Sequence, residues 1–222
     1  MDKKKIINEI RVFALMLLVV TSLRSALADW NDVPTGSMKP TIQEGDRVVV
    51  NKLAYDLKIP FTTYEVAKWG DPHRGDIVVL FSPRDGVRLV KRVIAVPGDT
   101  VQLVENELAI NGKKQQQSEA MLPMDDPQQG RIYITDENLD GHEHKVMLSP
   151  QLPSPMRTYG PEKVPPGMYF VMGDNRDNSN DSRYIGLIPR RQIVGRALAV
   201  AFSLDRNHYY VPRFDRFFQK LH

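Results

Sequence analysis

At 222 residues the chain is long enough for one large or two small domains with a proper core. Its make-up, 41% hydrophobic and 26% charged with 14 glycines and 16 prolines, is that of a folded protein and excludes wholesale disorder. With 30 Lys and Arg against 27 Asp and Glu, the net charge of +3 gives no case for nucleic acid as a partner, and the lack of cysteine excludes disulfides, thiolate metal sites and cysteine nucleophiles.

The first element is basic, then apolar. Lys3, Lys4, Lys5 and Arg11 lead into an apolar run over residues 12–23 that stops at Arg24. As a helix this run spans roughly 18 Å, against a hydrocarbon core of about 30 Å. An anchor would therefore also need Ile6, Ile7, Ile10 and Leu27, with arginines snorkelling to the surface. The same residues suit a cleavable signal peptide, with Ala26-Leu27-Ala28 as a small-x-small cleavage site. On either reading the charge before the run, against Asp29 and Asp32 after it, puts the N-terminus in the cytoplasm and the body across the membrane.

From residue 33 onward, short runs rich in Val, Ile and Tyr predict strands over residues 47–51, 76–81, 87–96, 100–104, 108–110, 132–134, 167–172 and 195–202. Turn residues punctuate them, as in Pro97-Gly98-Asp99 and Asn111-Gly112. No long stretch of the body carries a 3.6-residue apolar period, so the body reads as mostly β. Residues 113–166, rich in Gln and Pro, read as an inserted lobe or long loop. The tail after Asp205 gathers aromatic and basic residues, a composition found on membrane surfaces and on segments packed against a core.

Without a thiol, a nucleophile must be Ser, Thr, Lys or a carboxylate with a group nearby to take its proton. Histidine is a poor candidate for that group. There is no His-Glu-x-x-His helix and no Gly-x-Ser-x-Gly elbow, and His142-Glu143-His144 reads as a solvated loop. Three other segments stand out. In Pro34-Thr35-Gly36-Ser37-Met38-Lys39-Pro40, glycine and proline bracket a serine that a sharp bend could present. In the strand over residues 87–96, alternation places Lys91 among Leu89, Val93 and Ala95, where desolvation would lower its pKa and free an amine base; Arg92 then points the other way. The third segment, Gly173-Asp174-Asn175-Arg176-Asp177-Asn178-Ser179-Asn180-Asp181-Ser182-Arg183, alternates like a calcium loop. Ser182 and Ile188 occupy the places of its turn glycine and bidentate glutamate, so a hydrogen-bonded network that orients an amine is the better reading.

Together these segments resemble the type I signal peptidases (leader peptidases), membrane-anchored Ser/Lys proteases that remove signal peptides from exported preproteins. The likeness covers nearly the whole chain in order. It implies Ser37 as nucleophile, Lys91 as general base, Ser179 as the hydroxyl that orients the amine, and Asp181 and Arg183 as braces. The oxyanion hole would combine the Ser37 N–H with the Thr35 hydroxyl, where Ser is commoner in the family. Val33, Met38, Ile42 and Val90 are candidate walls for shallow pockets that take small side chains from an extended substrate. The resemblance implies no metal or cofactor. It also tips the N-terminal segment towards a single-pass anchor in a bacterial cytoplasmic membrane, with lipid bilayer and preproteins as partners.

The expected fold is mainly β. One N-terminal transmembrane helix over residues 1–28 would precede an antiparallel catalytic domain over residues 29–112 and 167–222, with a smaller β-rich lobe over residues 113–166. Two other functions fit the same residues: a conjugation peptidase that matures one pilin, and a non-enzymatic membrane-tethered module that binds exported proteins. A LexA-type regulator is disfavoured, because nothing before Ser37 could form its DNA-binding domain.

Overall fold

The computed structural model describes residues 3–26, 28–59, 62–118, 123–206 and 208–221. The Ala26-Leu27-Ala28 cleavage site therefore includes a residue, Leu27, outside the described ones.

Each predicted run falls on a strand, and the body is mainly β with antiparallel pairing throughout its named strands. The largest sheet is built, in spatial order, from Ala28–Asp32, Asp46–Asn51, Ile193–Asp205, Ile77–Phe81, Arg88–Ala95, Met168–Met172 and Ile188–Pro189; Val211–Pro212 adds to the end of the long strand Ile193–Asp205. Ile77–Phe81 is apolar at every position because it lies in the middle of this sheet with its first four residues buried. Across it, Val78 faces Lys91 in register.

Turn chemistry fixes the smaller hairpins. Thr100–Val104 and Glu107–Ile110 are joined by Glu105 and Asn106, both at positive φ; Glu107–Ile110 and Lys113–Lys114 are joined by Asn111 and Gly112, also at positive φ. Two-residue turns of this hand match the twist of the strands they connect, which accounts for the Asn-Gly pair. Tyr159–Lys163 completes this sheet against Thr100–Val104. Its apolar face, with Val101, Leu103, Leu108 and Ile110, packs on Ile94, Phe170 and Met172. Fully burying side chains of this size contributes about 1.5–3 kcal/mol each.

Residues 113–166 contain a long hairpin, Gly130–Leu139 with His142–Leu148, flanked by Gln116–Gln117 and Met124–Asp126. The segment expected to be a solvated His-x-His loop is thus a strand. His144 and Val146 are buried on one face of it, while Glu143 and Lys145 on the other face are exposed, as is His142 at the strand's first position.

The N-terminal segment is helical over Lys3–Ala26. The expected transmembrane span is not met on apolar length: no helix among the described residues is long and apolar enough to cross a membrane. Three lysines, Glu9 and Arg11 crowd the first half of the helix and Arg24 closes its apolar run, so helical length and apolar length differ.

Both readings of the tail apply to different residues. Tyr209, Phe214 and Phe218 are exposed, whereas Leu221 joins the core beside Val48 and Val200. Arg216 donates from Nε and Nη2 to the fully buried Asp46 carboxylate at 3.0 and 2.6 Å, which ties the tail to the strand Asp46–Asn51. Removing that carboxylate strands a largely buried guanidinium. Asp46→Ala is expected to cost about 3–5 kcal/mol in urea unfolding, well above the effect of an exposed aspartate such as Asp125.

Candidate active site

Ser37 lies in a single 3-10 turn, Gly36–Met38, that starts at Thr35 in extended conformation. The turn sits on the core: Met38 and Ile42 are 1% and 0% exposed and pack with Val33, Val48 and Val50. That packing fixes the backbone carrying the serine and leaves its hydroxyl at the protein surface boundary, with Ser37 9% exposed.

Lys91 approaches from the strand Arg88–Ala95. Its Nζ donates to Ser37 Oγ at 2.6 Å and to the Val90 carbonyl at 3.1 Å. The side chain is 2% exposed, and burial lowers its pKa from 10.5 to about 8. Asp181 and Asp174 pull the value back up and Arg183 pushes it down, but desolvation dominates. A neutral amine is therefore within reach near physiological pH. The Thr35 hydroxyl donates to Ser37 Oγ at 3.4 Å, from an exposed position beside the serine.

The polar loop after Met168–Met172 holds this pair from behind. Asn175 donates from its backbone N–H to the Ser37 carbonyl and from Nδ2 to the Gly36 carbonyl, each at 3.1 Å. Asp181 accepts from the Gly173 N–H at 3.0 Å and caps the short helix Ser182–Ile185; Arg183 clasps it with two bonds of 2.8 Å. Ser179 is brought to the site, but its Oγ is buried without a hydrogen-bond partner, and the amine reaches Ser37 without it. It lies over Gly173, so the expected orienting contact is not formed in this arrangement.

Of the four candidate pocket residues, Val90 alone keeps appreciable surface; Val33, Met38 and Ile42 are core residues beneath the serine turn.

Three further residues complete the site and were not singled out from the sequence. Arg92, on the strand position after the lysine, is fully buried and donates from Nε and Nη2 to both oxygens of Asp174 at 2.9 and 2.8 Å. Burial opposes ionisation of Asp174, yet Arg92 overrides it and holds the carboxyl below the usual carboxylate range. The Thr41 hydroxyl donates to the same carboxylate at 2.6 Å, linking the serine segment to the loop. Gly173 is the third: a Cβ there would come within 2.3 Å of both the Ser37 carbonyl and Ser179 Oγ. An adjacent apolar strand followed by glycine was the available signal, but glycine at a strand end also reads as an ordinary turn.

Comparisons with known proteins give the family. The family model described as signal peptidase, peptidase S26, matches residues 6–202. The chain is 37% identical over 213 residues to a signal peptidase I of Pseudomonas fluorescens, covering 90% of this chain and 74% of the relative. It is 37% identical over 215 residues to a signal peptidase I of Pseudomonas aeruginosa, with the same coverage. To the signal peptidase I P of Bacillus subtilis subsp. natto it is 36% identical over 205 residues, covering 92% and 93% of the two chains.

Two outcomes are expected. Below about pH 8 folded and unfolded chains both hold the Lys91 proton; between about 8 and 10.5 only the unfolded chain keeps it, so it binds more protons there and stability rises with pH. Measured against Lys91→Met by urea unfolding, the wild type should gain about 3 kcal/mol across that window. Gly173→Ala should cost about 1–3 kcal/mol, because backbone at Ser37 must yield to the new methyl, while an alanine at Gly70 would meet its nearest neighbours only at 3.7 Å, an ordinary contact distance.

Proposed function

Because the chain belongs to the signal peptidase family, peptidase S26, it is a serine endopeptidase that removes signal peptides from preproteins, and we propose that Ser37 and Lys91 carry out its chemistry. The observation that supports this assignment is the 2.6 Å contact between a serine hydroxyl and a buried amine whose pKa is lowered to about 8.

In this reading the Lys91 amine is neutral and the contact reverses, with the Ser37 hydroxyl donating to the Nζ lone pair. As Oγ bonds to the scissile carbonyl carbon, its proton passes to Nζ. The carbonyl oxygen takes up the displaced electron pair and is met by the Ser37 N–H and the Thr35 hydroxyl, both placed at the turn. When the C–N bond breaks, the leaving amine takes the proton from Lys91. A water then gives Nζ a proton and attacks the acyl carbon; return of that proton to Oγ releases the cleaved signal peptide and restores the dyad.

The substrate is an exported preprotein bound in extended form, with small side chains at the first and third positions before the cut. Val90, backed by Val33, Met38 and Ile42, offers an apolar wall with almost no depth, which suits alanine and rejects larger groups. Asp181 and Arg183 support the dyad by holding the loop behind it, with the Ser179 side chain packed over Gly173 in the same loop. The catalytic body comprises residues 29–112 and 167–222, with residues 113–166 as the lobe.

The helix Lys3–Ala26 anchors the enzyme in the bacterial cytoplasmic membrane, N-terminus in the cytoplasm and catalytic body outside. Ile7, Ile10, Phe13, Leu15, Met16 and Val20 are at least half exposed along it, and the sequence flanks the apolar run with Lys3, Lys4, Lys5 and Arg24, residue types that snorkel to headgroups. This compensates an apolar run shorter than the bilayer core.

The test is cleavage of a preprotein with an Ala-x-Ala site by the detergent-solubilised protein. Ser37→Ala and Lys91→Ala should each lower the rate by at least about a thousandfold. For the wild type, kcat/KM should rise with pH through about 8 as Lys91 loses its proton. Undiminished cleavage by Ser37→Ala would overturn the assignment; cleavage confined to one dedicated substrate would instead narrow the function to maturation of that protein.

A further inference from the structure

We propose that Glu137, on the inserted lobe, is a positioning residue for the nucleophile, acting through Arg176; this rests on Ser37 and Lys91 being the reactive pair. Glu137 is fully buried on Gly130–Leu139, and Arg176, 1% exposed, projects into the lobe from the polar loop. Arg176 Nη1 donates to Glu137 Oε2 at 2.9 Å, and its Nη2 donates to Oε1, a bidentate pair. Gln117 Nε2 donates to Oε2 at 3.0 Å, and His144 Nε2 lies 3.4 Å from Oε1. Burial opposes ionisation of Glu137, but Arg176 and then His144 hold it well below the usual carboxylate range.

The lobe grips the same loop by its backbone. Met147, on the neighbouring strand His142–Leu148, donates its N–H to the Asp174 carbonyl at 2.8 Å and accepts from the Arg176 N–H at 2.9 Å. Asn175 lies between those two bonds. Its own N–H and Nδ2 hold the Ser37 and Gly36 carbonyls. A path therefore runs from Glu137 by hydrogen bonds to Arg176, across one peptide link to Asn175, and by hydrogen bonds again to the backbone of Gly36 and Ser37, whose Oγ must stay at 2.6 Å from Lys91. A shift of this loop tilts the serine turn. The lobe is thus part of the catalytic geometry, and the carboxylate–guanidinium pair sets its aim.

The experiment compares wild type, Glu137→Asp and the double variant Glu137→Leu/Arg176→Met, each as the full chain in detergent. The double variant removes both charges and fills the volume with apolar atoms, a replacement that buried pairs often tolerate without loss of stability. Thermal midpoints, kcat and KM on the Ala-x-Ala preprotein, and the burst of Ser37 acylation by p-nitrophenyl acetate are read for each. The expected result is a kcat and burst rate about 10–100-fold lower in the double variant with KM little changed, since displacements near 1 Å cost that much in rate. Glu137→Asp, which keeps the charge one methylene short, should recover part of the loss. Wild-type kcat and burst rate in a folded double variant would overturn the proposal and leave the pair a purely stabilising one. If the double variant does not fold, Glu137→Asp decides alone: a lowered kcat at unchanged thermal midpoint supports positioning, and an unchanged kcat overturns it. Wild type that neither cleaves preprotein nor gives a burst removes the Ser37 and Lys91 assignment, and the positioning role falls with it; a burst without cleavage leaves the positioning role to be judged on burst rates.

Discussion

Desolvation of a single amine governs the site. Lys91 is almost wholly withdrawn from solvent, and an ammonium ion there lacks most of the stabilisation it has in water. Two buried carboxylates lie close enough to undo this, and both raise the lysine's proton affinity. Each already has a cation of its own. Arg92 takes Asp174 with two bonds, and Arg183 takes Asp181 with two. The carboxylates can brace the loop while most of their charge is answered locally, so the amine remains close to neutrality. Two acids and two arginines beside a base thus serve geometry without turning the base into a permanent cation.

The second requirement is mechanical. The loop over residues 173–183 is rich in polar side chains and almost wholly buried, a costly combination unless its groups find partners. Asn175 Oδ1, Arg176 Nε and Ser179 Oγ have none, but the loop is otherwise tied in four places: the serine turn through Asn175, the lysine strand through Asp174, the inserted lobe through Arg176, and Asn106 and Arg157 through Asp177. Most of these bonds cross between elements, so the loop serves as the hub on which separate pieces of chain converge. Gly173 allows the closest approach, since its missing side chain lets the serine carbonyl and Ser179 pack against the same atom.

Much of this was legible in the sequence. The strands of the body announce themselves as apolar runs, and the Asn111-Gly112 turn reads directly as a hairpin. Ser37, Lys91 and the polar loop stand out because a bracketed serine, a lysine amid aliphatic residues and a dense polar run are each unusual. What escaped depends on distance in space. Arg92 reads as pointing away from the lysine, and only the fold shows that it meets Asp174 there. His144 lies in a stretch that reads as a solvated loop, and Glu137 in one that reads only as part of the inserted lobe; Arg176, distant in the chain, is what answers the buried Glu137, and Glu137 in turn lies beside His144. At the N-terminus the helix expected over residues 1–28 forms over Lys3–Ala26, but its charged first part leaves it short of the apolar length that crossing a membrane takes.

The order of strands in the large sheet bears on when the enzyme can become active. Ile193–Asp205 lies between Asp46–Asn51 and Ile77–Phe81, and the amide that holds the Gly36 carbonyl comes from a residue 139 positions later. Pairings so distant along the chain close slowly, after local hairpins have formed. A growing polypeptide holds both Ser37 and Lys91 long before it holds the strand that joins their halves of the sheet. The contact between Ser37 and Lys91 is therefore a late event in the life of the molecule, set only once the strand Ile193–Asp205 has been made and paired.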